Sequence, residues 1–233
     1  MHMNNLKHFI KGIPGIGPWA ASAYRATGLG PKSKPFSGSS SYWESRYASG
    51  GNSGVGSYAK FADFKAEIVN KFVADHQVRS VIEFGCGDGN QLKLAIYPRY
   101  VGLDVSPTAI AKCRKDFAGD GTKSFVPVSE YQGEKMDLAL SMDVIYHLVE
   151  DAIFLQYMRD LFESSSRYVI IYSSDLDNEQ SPSPEHVRHR KFSAFVDRDL
   201  TEWKLFQHIP NRFPFQGDYT TGSFADFFIY AKA

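Results

Sequence analysis

From residue 57 onward the chain alternates amphipathic stretches with short apolar runs. Ser57 to Ala74 sets Phe61, Phe64, Ile68 and Phe72 near one stripe, with Lys60, Asp63, Lys65, Glu67 and Lys71 elsewhere, as in a helix with one buried face. Apolar runs of strand length follow at Ser80 to Phe84, Tyr100 to Asp104, Ser124 to Val128, Asp137 to Ser141 and Tyr168 to Ser173. Helical segments separate most of them: Gln91 to Ala95, Pro107 to Phe117, and Asp151 to Phe162 with its Ile153, Phe154, Tyr157, Met158 and Leu161. This alternation predicts an α/β fold with right-handed crossovers and a largely parallel sheet. The end of the chain breaks the rhythm. Trp203 to Ile209 and Phe224 to Ala231 read as two strands joined by a long loop, which suits an antiparallel pair at one edge.

Residues 1–40 read as a separate unit. They carry Lys7, Lys11, Arg25, Lys32 and Lys34 and no acid, and their Gly, Pro and Ser content prevents a long helix. The expectation is a flexible basic arm followed by one domain over 41–233. Its Leu6, Phe9, Ile10, Ile13, Ile16, Trp19 and Tyr24 leave two readings open, a disordered tail or a contact for a membrane surface or partner protein.

Composition narrows the class. A chain of 233 residues with zero net charge fits one α/β domain. There is no apolar run long enough to cross a bilayer and no leader pattern, so the expected compartment is the cytoplasm. Cys86 and Cys113 form neither a disulfide framework nor a zinc spacing and read as packing residues, and no metal site is expected.

Two segments carry candidate chemistry. Val81-Ile82-Glu83-Phe84-Gly85-Cys86-Gly87-Asp88-Gly89 runs an apolar strand into alternating glycines, a turn whose backbone can touch a ligand. A dinucleotide fingerprint needs Gly or Ala where Asn90 stands, which puts nicotinamide or flavin behind S-adenosylmethionine as the ligand. Tyr100-Val101-Gly102-Leu103-Asp104-Val105-Ser106 is a second strand ending in an acid, at the spacing that brings a carboxylate to the ribose of a bound nucleoside. The competing role for Asp104 is capping the next helix, which Ser106 can do instead.

With Met136-Asp137-Leu138-Ala139-Leu140-Ser141-Met142-Asp143-Val144-Ile145-Tyr146-His147-Leu148, these motifs resemble the class I S-adenosylmethionine-dependent methyltransferases over about residues 41–233. The resemblance implies a Rossmann-like seven-stranded, mostly parallel sheet with helices on both faces and a reversed last strand. It implies cofactor contacts at Glu83, Gly85, Cys86, Gly87, Gly89, Asp104 and Val105, with Asp143 and His147 facing the methyl site.

The block Tyr42 to Ser57 reads as a lid, in which Trp43, Arg46, Tyr47 and Gly54 are candidate cofactor contacts and Arg46 could pair with a carboxylate through two hydrogen bonds. A flexible linker is the alternative. The lid block, Val187 to Phe192 and Thr221 to Phe227 together resemble a bacterial methyltransferase subgroup associated with surface-polysaccharide gene clusters.

Methyl transfer to a hydroxyl needs the acceptor positioned and its proton removed. His147 is the candidate base, since an imidazole titrates near neutral, against packing at a helix start. Asp143 is expected to orient cofactor or acceptor. His186, Arg188, His189, Arg190 and Lys191 form a basic insert that either binds an acidic substrate group or is solvated, with Asp197 and Asp199 neutralising part of it. The expected acceptor is a glycan or other small molecule. Alternatives are a protein or nucleic-acid methyltransferase and a catalytically silent cofactor-binding module; neutral charge, and the sequence after strand four, argue against nucleic acid.

Overall fold

The computed structural model describes residues 36–177 and 184–233. The expected arm therefore lies outside the described residues except for its last five, of which Ser39 and Ser40 open a helix, α1 (Ser39–Ala48). Next come α2 (Ala59–Asp75), β1 (Val81–Phe84), β2 (Tyr100–Asp104), α3 (Pro107–Asp116), β3 (Lys123–Pro127), β4 (Met136–Met142), α4 (Asp151–Glu163) and β5 (Ser165–Ser173). The chain closes with α5 (Phe192–Asp199), β6 (Trp203–Ile209) and β7 (Asp226–Lys232). No helix among the described residues is long and apolar enough to cross a membrane.

The seven strands lie in the order β3-β2-β1-β4-β5-β7-β6. Pairing is parallel from β3 through β5, and β7 runs antiparallel to both β5 and β6. The sheet is seven-stranded and mostly parallel with a reversed last strand, as expected. Strands β1 and β2 are buried along their whole length, because helices cover both faces. On one face Phe64, Val69 and Phe72 of α2 join Ile110 and Cys113 of α3; on the other Phe154, Met158 and Leu161 of α4 join Phe195 and Val196 of α5.

Strand order reverses between β1 and β4, with β2 and β3 to one side and β5 to the other. Connections leave such a pair in opposite directions, so a crevice opens beyond the strand ends at that point. Gly85 and Asp143 are the first residues past those two ends.

Candidate functional site

The glycine turn follows β1. Gly85, Gly87 and Gly89 all have positive φ, at 86°, 57° and 74°. A side chain at Gly85 would meet Val144 at 2.4 Å, and one at Gly87 would meet Ser53 Oγ at 2.4 Å, so close approach as well as conformation excludes other residues there. Gly89 lies against Cys113 and Phe117 of the adjoining helix, a packing position. The turn is tied to β2 by the Gly85 and Cys86 amides, which both donate to the Leu103 carbonyl.

Asp104 ends β2 and is buried. Its carboxylate accepts the Gly87 amide at 2.9 Å and the Ser106 amide at 2.8 Å, one on each oxygen, which leaves each oxygen further acceptor capacity. Burial pushes its pKa up to about 6 against these hydrogen bonds. Ser106 takes the capping role, accepting the Ala109 amide at 3.1 Å.

Beneath the turn, Glu83 is buried and accepts the Tyr100 hydroxyl at 2.5 Å. Burial raises it to about 7, against that hydrogen bond and the charge of Lys65.

The lid block is partly helical. Its apolar periodicity is weak; tertiary contacts hold α1 and the loop after it as a strap. Glu150 accepts the Ser39 amide (2.9 Å) and hydroxyl (2.6 Å). Glu44 accepts the hydroxyls of Ser106 (2.5 Å) and Thr108 (2.6 Å). Asp88 accepts the Ser53 amide (3.1 Å) and the Tyr58 hydroxyl (2.7 Å). Three carboxylates thus fasten the strap to the segment after β4, to the start of α3 and to the glycine turn.

A cavity of about 400 Å³ lies under the strap. Trp43, Tyr47, Glu83, Gly85, Cys86, Gly87, Asp104, Val105, Asp143 and His147, all candidates from the sequence, line it. Arg46, Gly54 and Gly89 do not. The Arg46 guanidinium instead donates to the Asn52 carbonyl at 2.5 Å and lies over the Trp43 ring, so it braces the strap rather than facing the cavity.

Asp143, just past β4, adopts φ 60°, a left-handed conformation uncommon outside glycine. Lys65 Nζ holds its carboxylate at 2.6 Å and the Tyr146 hydroxyl donates to it at 2.7 Å. Lys65 is only 1% exposed and also lines the cavity, which overturns its expected place on the polar side of α2. Its spacing carried the signal: Phe61, Lys65, Ile68 and Phe72 follow one helical stripe.

His147 donates its Nδ1 proton to the His186 carbonyl at 3.0 Å, because a carbonyl only accepts. Nε2 is then the remaining acceptor of a neutral ring. Burial drives its pKa down to about 4, so it does not titrate near neutral as the sequence suggests. Trp43 packs edge-on against it at 4.9 Å.

The arginines of the basic insert pair with a different acid from those expected. Arg188 and Arg190 both bind Asp151 at the start of α4, at 2.9 and 2.6 Å, and both donate to the Val149 carbonyl, while Arg198 is taken up by neighbouring Asp199.

Comparison with known proteins agrees with this geometry. A family model of the methyltransferase domain matches residues 82–168. No curated protein matches the chain in sequence. Among solved structures, the N-methyltransferase NodS from Bradyrhizobium japonicum, in complex with S-adenosylhomocysteine, is 14% identical. It superposes with a TM-score of 0.63 over 84% of this chain and 98% of that one. Magnesium protoporphyrin IX methyltransferase from Synechocystis PCC 6803, with bound S-adenosylmethionine, is 13% identical with a TM-score of 0.59 over 86% of this chain and 100% of that one. At such identities the likeness is one of fold.

The cavity suits the cofactor of such domains. Asp104 keeps acceptor capacity for ribose hydroxyls, two positive-φ glycines floor the cavity, and the buried Gln91 Oε1, which has no partner among the described residues, belongs to a residue of its wall. Residues 82–168 thus match a methyltransferase domain, and the cavity they help to line offers the groups that S-adenosylmethionine would need.

Proposed function

We propose that this methyltransferase acts on a hydroxyl oxygen of a sugar, glycan or other small molecule. The observation that carries the reading is the state of His147. It is a neutral imidazole in the cavity wall, with Nδ1 committed to a backbone carbonyl and Nε2 left as an acceptor, next to Asp143 on the same short segment. A hydroxyl needs such a group to take its proton as the oxygen becomes a nucleophile. The bound cofactor supplies an electrophilic methyl group on a sulfonium. The protein's residues do the rest: Asp104 holds the ribose, the strap excludes water, and Lys65 with Tyr146 fixes Asp143 as an oriented carboxylate beside the acceptor.

Zero net charge and a site covered by α1 favour a small acceptor over nucleic acid or a folded protein. The sequence resemblance to methyltransferases of surface-polysaccharide clusters favours a sugar hydroxyl. The test supplies methyl-labelled S-adenosylmethionine with panels of hydroxylated sugars, amines and peptides, and locates the label by NMR. An O-methyl sugar that no longer forms with His147→Ala supports the reading. Label on nitrogen or on a peptide overturns it.

A further inference from the structure

The cavity runs along the ends of three neighbouring strands. Asp104 closes β2, the glycine turn follows β1, and Asp143 follows β4, with β1 in the middle. With the ribose at Asp104, the two ends of the cofactor leave in opposite directions. Toward β3 the wall offers Val105 and Val128, apolar surfaces that suit a purine ring and give nothing to a charged group. Toward β4 it offers Lys65, Glu83, Gln91 and Asp143.

Lys65 is buried and is the only lysine or arginine among the described residues that line the cavity. One N–H of its ammonium reaches the Asp143 carboxylate at 2.6 Å, and its Nζ lies 5.3 Å from the centre of the Tyr172 ring, so its position is fixed from two sides. The other two N–H groups meet no acceptor among the described residues, a costly state for a buried ammonium.

Gln91 has the opposite need. Its Nε2 donates at 2.9 Å to the carbonyl of Ala62, about one turn before Lys65 on α2, and this orients the amide because a carbonyl only accepts. Oε1 is left as a buried acceptor without a partner among the described residues. Glu83 gives one oxygen to the Tyr100 hydroxyl and keeps the other uncommitted among the described residues.

Unspent donors beside unspent acceptors call for a ligand group that is both. A lone anion would bring a third acid to an end that holds one ammonium and two carboxyl groups, and a lone cation would leave the Lys65 donors unused. A zwitterion adds no net charge and answers both sets. S-adenosylmethionine carries such a group, the ammonium and carboxylate of its amino-acid end.

We propose that Lys65 and Gln91 grip the zwitterionic amino-acid end of the cofactor, Lys65 taking the carboxylate and Gln91 the ammonium. The subsite is independent of which acceptor is methylated.

The experiment is calorimetry with four ligands: S-adenosylhomocysteine, its analogue without the carboxylate, its analogue without the amine, and 5′-methylthioadenosine, which lacks the amino acid. Asp143→Asn with and without Lys65→Met isolates Lys65 without stranding a buried acid. Adding Lys65→Met is expected to weaken S-adenosylhomocysteine and the amine-free analogue about tenfold or more, and to leave the other two ligands within about twofold. Gln91→Leu is expected to weaken S-adenosylhomocysteine and the carboxylate-free analogue about fivefold or more, with 5′-methylthioadenosine again within about twofold. Equal losses for all four ligands would mark both residues as structural and overturn the subsite, as would wild type binding 5′-methylthioadenosine as tightly as S-adenosylhomocysteine. A substitution that leaves all four affinities unchanged removes its residue from the subsite. Binding of none of the four removes the cofactor reading and the subsite together.

Discussion

Asp104→Asn changes one oxygen to an amide and keeps the side chain's shape, which makes it the sharpest probe of the cofactor site. Wild-type Asp104 accepts two backbone amides, from Gly87 and Ser106, one on each oxygen. Asparagine can keep only one, so one buried N–H loses its acceptor, at a cost of about 1 to 3 kcal/mol in stability. Loss of a charge-assisted ribose contact costs about 1.5 to 3 kcal/mol in binding, or roughly 10- to 150-fold in Kd. A pH signature separates the two effects.

Burial holds the free Asp104 carboxyl at about 6, above its unfolded value, so the folded protein binds the extra proton between those values and loses stability as pH rises through them. Ribose hydroxyls donate to the ionised form, so cofactor binding expels that proton, and affinity is expected to weaken about tenfold per pH unit below 6. Calorimetry in two buffers of different ionisation enthalpy reads both the Kd and the protons released. Equal Kd in a folded Asp104→Asn protein, with the same proton release below pH 6, would refute the ribose role.

His147→Ala is expected to lower kcat about 10²-fold with cofactor affinity nearly kept. With cofactor saturating, the wild-type rate should show no histidine inflection between pH 6 and 8, because the ring is already neutral and protonates only near pH 4; an inflection near 6.5 that disappears in the variant contradicts the burial argument. Lys65→Met leaves Asp143 as a partly buried carboxylate without its counter-charge and should cost about 1 to 3 kcal/mol in urea unfolding, most of it recovered by adding Asp143→Asn. A single-variant loss under about 1 kcal/mol would show that Tyr146 alone satisfies the acid. Asp88→Ala should speed hydrogen exchange over residues 49–57 and weaken cofactor binding about tenfold, and unchanged exchange would mean that the strap is held elsewhere.

The sheet was legible because parallel strands covered on both faces are written as continuous apolar runs, and β2 matches its run residue for residue. β5 begins three residues earlier than its apolar run, since Ser165 pairs its hydroxyl with the Asp137 and Tyr168 carbonyls and enters the strand without being apolar. The glycine turn and the acid after β2 could be read because their spacing is local. The strap helix could not: what holds α1 is Glu150, Ser106 and Thr108, partners 62 to 111 residues away. Distance also misled the reading of the basic insert, where Asp197 and Asp199 are near in sequence but Asp151, 37 and 39 residues back, takes both arginines. Lys65 was misread from its charge when its place in the Phe61 stripe was the better guide.

The three carboxylate fastenings of the strap bear on time as well as on affinity. The roof of the cavity, Ser39, Trp43, Tyr47 and Ser53, belongs wholly to the strap, so a molecule of cofactor size enters or leaves when that segment lifts. Donors hold each fastening in its charged form. Burial pushes Asp88 and Glu150 up, but hydrogen bonds from Tyr58 and Ser53 in one case and Ser39 in the other outweigh it, and Ser106 and Thr108 lower Glu44. The fastenings therefore persist at neutral pH and give way only as acid reaches those lowered values. Lifting one end leaves two still fastened, so complete opening is a rare, concerted event. Strap opening therefore sets a ceiling on how fast spent cofactor exchanges for fresh, and a bound methyl donor is held while its acceptor arrives.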